Sequence, residues 1–214
     1  IPLRLVGSEM CIRDSIKYRV LDANEISDGY LRPFCWRGSE MMAISAQETT
    51  IHVGVAAWQW PSYFDPETKM KGITLDIADW RRPSPESAPV QAKAAGLYMI
   101  CTLAKHTAER KGFQDALMLD YRGYVAEATG ANIFFLMNDG KIHTPKADCF
   151  LDGITRRTVI ELAKQAGLEV VERHILPDEL ENAREAFLTG TAAEITPISK
   201  IGDYNFKPDT ACRI

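Results

Sequence analysis

The amino-acid sequence predicts a mixed α+β fold rather than a regular alternation of parallel strands and helices. Strand-like segments outnumber helical ones, and several follow each other across a short turn. Asp139 and Gly140 form such a turn signal between two apolar runs, which is typical of a β-hairpin. With 214 residues, 46% of them hydrophobic, the chain is long enough for one large domain or for two modest ones that share an interface.

Three strands are predicted in the first part of the chain, at residues 29–38, 49–58 and 73–80. Pro33 interrupts the first strand, which indicates an edge position or an irregularity. The second strand is mostly apolar, so we expect it to be largely buried. Residues 59–72 carry two prolines and predict a linker, and residues 81–89 carry three, which predicts a loop.

A helix is predicted over residues 93–110, because apolar residues recur there at steps of three and four. Residues 115–145 predict strands joined by turns, including the Asp139-Gly140 hairpin. A second helix follows Gly153 and ends at Gly167, and a strand comes directly after it. The last strand signal, in "EAFLTGTAAEITPI", runs into a turn at Gly190.

Composition and cysteine spacing argue against several classes of protein. The formal charge is -4 and the basic residues are scattered, which does not favour a nucleic-acid surface. The sequence contains no continuous run of about 18 apolar residues, so we expect no membrane span. The five cysteines are odd in number and far apart, without CxxC spacing or a Cys/His cluster. We therefore expect neither a disulfide framework nor a metal site, and a cytoplasmic location.

The N-terminal stretch "IPLRLVGSEMCIRDS" lacks the continuous apolar segment of a secretory signal. It resembles sequencing-adaptor DNA translated in frame. We therefore set residues 1–15 apart as a non-native segment in predicting the fold. We also expect the chain to be a fragment, truncated at both ends.

Three loops carry groups that could hold one ligand. Gly153 precedes a helix whose first turn contains Thr155, which offers backbone amides, the positive end of the helix dipole and a hydroxyl to an anion. Thr191 and the amides that follow it could form a second donor nest. Glu127 lies among small and apolar residues, where a buried carboxylate needs a partner. The alternatives are a capped helix, a tight turn of small residues and a solvated glutamate.

Together with Lys93, these three features fit one cofactor. Pyridoxal phosphate needs a lysine amine for its aldehyde, an acid beside its ring nitrogen, and donors for its phosphate at helix or turn N-termini. Lys93 would supply the amine and Glu127 the acid.

Four motifs, "AKAAGLY", "EATGANIF", "GITR" and "GTAAEITP", occur in this order and resemble those of the fold-type IV pyridoxal-phosphate enzymes. The branched-chain amino-acid aminotransferases are the most similar group, and "GYLRP" and "WPSY" favour them within the class. The resemblance covers residues 16–214. It implies a remnant of a small N-terminal α/β domain (16–59), an interdomain loop (60–71) and a large cofactor-binding domain (72–214) whose mixed sheet forms a pseudo-barrel with helices.

The resemblance also implies roles for individual residues. Lys93 would form the Schiff base, Tyr98 would bond the ring oxygen of the cofactor, and Glu127 would pair with the pyridine nitrogen. The phosphate would be bound by Gly153, Ile154, Thr155 and Thr191. The substrate side would be formed by Tyr30, Arg32, Trp60 and Tyr63, with the Thr191 and Ala192 amides near the substrate carboxylate.

The function that the resemblance implies is transamination of leucine, isoleucine and valine with 2-oxoglutarate, by a ping-pong mechanism, in a homodimer or larger oligomer. This activity belongs to branched-chain amino-acid biosynthesis. The alternatives are a D-amino-acid transaminase, an aminodeoxychorismate lyase, a non-catalytic binding module on the same fold, or a truncated and inactive chain. The family's phosphate-binding arginine and a C-terminal helical segment are expected to lie outside this chain.

Overall fold

The computed structural model describes residues 8–60, 64 and 66–209. The chain folds as two compact units, Ile1–Tyr63 and Phe64–Ile214. The domain limits given above, at residues 15, 59 and 71, stay predictions. Within the described part of the chain, no helix has the length and apolar character needed to cross a bilayer.

The first unit contains one helix and a β-hairpin. Helix α1 (Ser8–Ala23) precedes strands β1 (Tyr30–Arg37) and β2 (Ile51–Trp58), which pair antiparallel along their whole length. The expected burial of β2 is wrong, since Ile51 and Val53 are 57% and 74% exposed. A two-stranded ribbon has two faces, and the alternation of side chains sends half of this apolar strand to the open one.

The second unit is built on a mixed sheet. Helix α2 (Pro66–Lys71) lies in the segment predicted as a linker, and it is followed by β3 (Ile73–Arg82) and α3 (Met99–Arg110). The remaining elements are β4 (Asp115–Asp120), β5 (Val125–Ala128), β6 (Asn132–Met137), β7 (Ile142–Pro145), α4 (Ile154–Gln165), β8 (Val170–Arg173), β9 (Ala183–Gly190), β10 (Glu194–Ile201) and β11 (Tyr204–Asn205).

The strand order is β5-β4-β3-β10-β9-β6-β7-β8, with β11 beside β10. Parallel pairs (β3 with β4 and β10, β7 with β8) occur together with antiparallel ones, which confirms the predicted α+β class. Strands β5 and β6 are far apart in this order but consecutive in the chain. The Ala128 amide nevertheless donates to the Ala131 carbonyl at 2.8 Å, so the sheet curls until these two strands meet.

The concave inner face of the curled sheet holds the main hydrophobic core. Leu117, Ile133, Leu188 and Ile198 are fully buried there, together with Ala128. Burying one large aliphatic side chain contributes about 1.5–3 kcal/mol, so this core accounts for much of the unit's stability. The inner face is therefore closed to a ligand.

The outer face of the sheet is covered by the two longer helices of this unit. Helix α3 packs Ala104 and Ala108 against Ala116 of β4, where small side chains allow close approach. Helix α4 packs Ile160 in one cluster with Phe134 and Phe187 of the sheet. Because side chains alternate along a strand, polar residues next to inner core residues point to this outer face.

The helix predicted over residues 93–110 begins later than expected. A 3-10 turn at Ala95–Tyr98 leads into α3, which starts at Met99. Ala94 has extended backbone angles, so Lys93 lies in the preceding loop and not in the helix. Strand β3 also extends to Arg82, into the segment predicted as a loop.

Helix α4 ends as the sequence predicts, in a Schellman motif centred on Gly167. The Gly167 amide donates to Lys164, and the Leu168 amide donates to Ala163. Gly167 has φ +78°, in the left-handed region. Leu168 then packs on the same cluster as Phe134, so this turn fixes the end of the helix to the sheet.

Replacing Gly167 by alanine should lower the free energy of unfolding by about 1–2 kcal/mol, because Cβ is unfavourable in the left-handed region. Gly167→Asn is the matched control and should cost less, since asparagine visits this region more readily. Urea unfolding followed by circular dichroism measures both changes. Equal losses in the two variants would mean that backbone conformation is not the cause.

Candidate active site

Glu127 on β5 is the buried acid of the second unit. Its neighbour Ala128 points into the core, so Glu127 points to the outer face, where it is 8% exposed. Its Oε2 accepts a hydrogen bond from Asn132 Nδ2 at 3.2 Å, and its Oε1 lies 3.3 Å from Arg82 Nε. The structure therefore rejects the alternative of a solvated loop glutamate.

Burial raises the pKa of Glu127 to about 8, although the positive charges of Arg82 and Lys93 oppose the increase. An isolated buried carboxylate is unfavourable, and loss of water stabilises the protonated form. The side chain can thus accept or release a proton near neutral pH. Such a group in a polar cluster is typical of a functional site.

Arg82 at the end of β3 is a site residue that the sequence patterns did not predict. It is 4% exposed, and its Nη1 donates to the Leu97 carbonyl at 3.1 Å and to Cys101 Sγ at 3.3 Å. Among the described residues its Nε has no well-aligned hydrogen bond, so its approach to Glu127 is mainly ionic. Arg82 therefore attaches the Glu127 carboxyl to the beginning of α3.

Lys93 and Tyr98 lie together in front of α3. The Lys93 side chain is exposed, and its Nζ donates to Tyr98 Oη at 3.3 Å. The positive charge of Lys93 opposes the increase in the pKa of Glu127, so the amine is close enough to act on this carboxyl. The predicted amine, phenol and carboxyl are thus gathered around the start of α3.

The first turn of α4 offers a nest of backbone amides. Gly153 is the N-cap of this helix, and no side chain makes a capping bond there. The Gly153 amide donates to Asn132 Oδ1 at 3.2 Å. The amides of Ile154 and Thr155 are in the first helical turn, where they have no intrahelical acceptor and the helix dipole is positive.

The turn between β9 and β10 contains Thr191 and Ala192. Thr191 is exposed and Ala192 is half-buried. Just before this turn, Thr189 is 1% exposed, and its Oγ1 has no hydrogen-bond partner in the part of the chain that the structure describes. Thr189 pairs with Asn132 across β9 and β6, so both side chains lie on the same face of the sheet.

The predicted substrate-side residues belong to the first unit. The Arg32 guanidinium lies 5.5 Å from the Tyr30 ring centroid and 5.4 Å from that of Trp58, within reach of cation–π attraction. The Tyr30 and Trp60 rings are 5.0 Å apart. Tyr63 lies outside the described residues. Arg32 is thus held against an aromatic surface.

One other cluster of potential ligand atoms is balanced by protein side chains. Asp120, Asp148 and Cys149 lie within 4.8 Å of one another. Arg122 Nη2 donates to Asp120 at 2.7 Å and to Asp148 at 2.8 Å, and His174 also bonds Asp148 at 2.9 Å. The guanidinium supplies the positive charge that these carboxylates need, so the cluster serves to hold neighbouring loops together.

The comparisons with known proteins identify the family and the fold. The family model "Amino-transferase class IV" matches residues 12–201, and the chain therefore belongs to this family. The "Probable branched-chain-amino-acid aminotransferase" of Rickettsia felis is 43% identical over 188 residues, which are 88% of this chain and 63% of that protein. The chain thus spans less than two thirds of that relative's length.

Two solved structures are similar over almost the whole chain. A branched-chain aminotransferase from Thermoproteus uzoniensis with norvaline gives a TM-score of 0.88 at 31% identity, covering 96% of this chain and 68% of that one. An aminotransferase from Brucella abortus bound to the cofactor pyridoxal phosphate gives a TM-score of 0.77 at 31% identity. That match covers 96% of this chain and 70% of the Brucella chain. The fold-type IV architecture is therefore confirmed.

The raised pKa of Glu127 predicts a pH dependence of stability. Its folded pKa of about 8 lies above the ordinary value of 4.5, so the folded state holds the proton longer than the unfolded state does. The free energy of unfolding should therefore fall as pH rises from about 5 to about 8, by at most about 1.4 kcal/mol per pH unit from this group.

Urea unfolding across this pH range compares the parent chain, Glu127→Gln and the control Glu169→Gln, whose side chain is 62% exposed. Stability of Glu127→Gln should decrease less with pH than stability of the parent chain, while Glu169→Gln should follow the parent. Parallel curves for all three proteins would contradict the assignment of this titration to Glu127.

Proposed function

We propose that the chain is the catalytic part of a pyridoxal-phosphate-dependent transaminase that moves the amino group of branched-chain L-amino acids to 2-oxoglutarate. The observation that carries the proposal is a series of polar contacts that links three groups. The Glu127 carboxyl is joined through Arg82 to the segment of Lys93 and Tyr98, and through Asn132 to the amides of α4.

The side chains present fit this cofactor. A buried acid suits a ring nitrogen, and the amides of the α4 first turn suit a phosphate. The buried Thr189 Oγ1, which has no partner among the described residues, is a polar atom in the same region that can serve a ligand. Lys93 offers a primary amine from a long and movable side chain. The acid, the amides and the amine would hold the ring nitrogen, the phosphate and the aldehyde, respectively.

When bound, pyridoxal phosphate supplies an aldehyde that condenses with amines and a ring that accepts electrons from the substrate. In this scheme Lys93, as a neutral amine, would take the proton from the substrate Cα and return it to the former aldehyde carbon of the cofactor. Tyr98 bonds the Lys93 amine at 3.3 Å and would orient it, and its hydroxyl would also bond the ring oxygen of the cofactor. Glu127 would keep a proton at the ring nitrogen and so favour the negative charge that develops during the reaction.

The remaining predicted residues complete the proposal. Thr155 and Thr191 would bind phosphate with the amides of Ile154, and the Ala192 amide would face the substrate carboxylate. Tyr30, Arg32, Trp60 and Tyr63 are proposed to contact the substrate.

The choice of branched-chain substrates is supported by the names of the similar proteins from Rickettsia felis and Thermoproteus uzoniensis, both branched-chain aminotransferases. Each methylene changes discrimination between substrates by about 1–3 kcal/mol, so leucine, isoleucine and valine are proposed as a class, without an order of preference. Ping-pong kinetics, a homodimer or larger oligomer and a cytoplasmic location belong to the same proposal.

Borohydride reduction tests the role of Lys93. The chain loaded with pyridoxal phosphate is reduced and digested, and the peptides are mapped by mass spectrometry. The pyridoxyl group should be found on Lys93, and Lys93→Ala should lower transamination by about 10²–10⁴-fold or more. The control is Lys164→Ala, which should leave activity unchanged. Lys164 lies in the last turn of α4, at the end opposite to the amide nest, and its side chain is 54% exposed. A label on another lysine would refute the assignment of Lys93.

The substrate is tested with L-leucine, D-alanine and aminodeoxychorismate in parallel. Turnover of L-leucine with 2-oxoglutarate supports the proposal. Preference for D-alanine, or formation of product from aminodeoxychorismate, would replace it with one of the alternatives on the same fold.

A further inference from the structure

Asn132, the first residue of β6, makes more polar contacts in the site than its place in the sequence suggests. It is 5% exposed. Its Nδ2 donates to Glu127 Oε2 at 3.2 Å and to the Leu151 carbonyl at 3.0 Å. Its Oδ1 accepts from the Gly153 amide at 3.2 Å. Both hydrogens and the oxygen of the amide are therefore used, which fixes its orientation.

These contacts connect the two ends of the proposed cofactor site. Glu127 stands at the ring end, and Gly153 begins the amide nest at the phosphate end. One short and rigid side chain thus sets the separation between an acid on β5 and the N-terminus of α4. Since Asn132 is neutral, it supplies a donor to Glu127 without adding to the charges of Arg82 and Lys93, which also act on this carboxyl.

We propose that Asn132 is a positioning residue that holds the acid on β5 and the first turn of α4 at the separation required by a ring and a phosphate in one ligand. This inference rests on the proposed function, because it assigns the two ends to one cofactor. Asn132 does not contact the reacting atoms in this role. It acts through Glu127 and through the backbone of Gly153.

Gly153 provides an independent indication that this contact is tight. A Cβ added at Gly153 would lie 2.3 Å from Asn132 Oδ1, much closer than real Cβ contacts allow. The backbone angles of Gly153, φ -63° and ψ 142°, are open to any residue, so the glycine is required by this neighbour and not by conformation. Residues 132 and 153 are therefore matched in size, because the missing Cβ of Gly153 leaves room for the Asn132 side chain.

This matching gives a test by a double-mutant cycle. Gly153→Ala alone should push the amide of Asn132 away and weaken binding of pyridoxal phosphate by about 10–100-fold, equivalent to about two hydrogen bonds. Asn132→Ala alone should have a similar effect. In the double variant the Cβ meets no oxygen, so the second substitution should add less than about threefold, roughly the usual limit of additivity.

The ligands are chosen to separate positioning from general damage to the fold. Dissociation constants are measured for pyridoxal phosphate, for inorganic phosphate and for pyridoxal, using tryptophan fluorescence of cofactor-stripped protein. If Asn132 sets the separation between Glu127 and the first turn of α4, Asn132→Ala should strongly weaken the binding of pyridoxal phosphate. Binding of inorganic phosphate and of pyridoxal should weaken by less than about threefold, because only the joined ligand depends on the distance between the two ends of the site. Equal losses for all three ligands would show a structural role only.

A spectroscopic measurement reports on Glu127 separately. Asn132→Asp keeps the shape but places a second acid beside Glu127, which disfavours its ionised form. The pH at which the absorbance of the bound cofactor changes should differ between Asn132→Asp and the parent chain. An unchanged titration would overturn the link between Asn132 and Glu127.

The outcomes distinguish this inference from the proposed function. If the parent chain binds no pyridoxal phosphate, the proposed function fails. If the parent binds it and both Asn132→Ala and Gly153→Ala bind it equally well, only the positioning role fails. If Asn132→Ala does not fold, Gly153→Ala with the three ligands still decides, because it keeps Asn132 in the chain.

Discussion

Burial of the Glu127 carboxyl is the constraint on which the arrangement of the site depends. A buried carboxylate without partners is strongly unfavourable, and so is a buried guanidinium. Arg82 and Glu127 therefore need each other, since removing one partner of such a pair costs about 3–5 kcal/mol. Asn132 completes the surroundings of the carboxyl by donating to its second oxygen. The elements that carry these side chains, β3, β5 and β6, are thereby held in a fixed relation.

The curl of the sheet makes this relation possible. In a flat sheet with this strand order, β5 and β6 would be far apart, and Glu127 could not reach Asn132. The inner face closes around apolar side chains such as Leu117 and Ile133, so the polar groups lie on the outer face. There the beginnings of α3 and α4 come to the two sides of Glu127. The hydrophobic core and the polar site therefore lie on opposite faces of the same strands.

Local signals in the sequence were sufficient to predict most of the helices and strands of the second unit. Gly153 and Gly167 enclose α4 as predicted. Gly167 meets a local requirement, because its φ of +78° lies in the left-handed region, whereas Gly153 leaves room for the side chain of Asn132. The start of α3 was predicted too early, since periodic apolar residues continue into the 3-10 turn while Ala94 is extended. Roles could not be assigned to Arg82 and Asn132, because their partners come from other segments of the fold and depend on the curl of the sheet. Thr189 could not be assigned either, because its burial depends on the neighbouring strands β6 and β10. An arginine or asparagine beside a strand has no local mark of burial.

Lys93 and Glu127 differ in mobility in the way that their proposed roles require. Glu127 is held at both oxygens and buried, which suits a group that must hold a proton at a ring nitrogen without reorganising. Lys93 is exposed and bonded to Tyr98 alone among the hydrogen bonds described for it, so its four-carbon side chain can swing between two carbon atoms. A Lys93 side chain with a fixed position could not carry a proton between the two carbons. A mobile Glu127 would be exposed to solvent, which would weaken its electrostatic interaction with the ring nitrogen. The same fold thus fixes one group by burial and leaves the other movable by placing it in a loop before the helix.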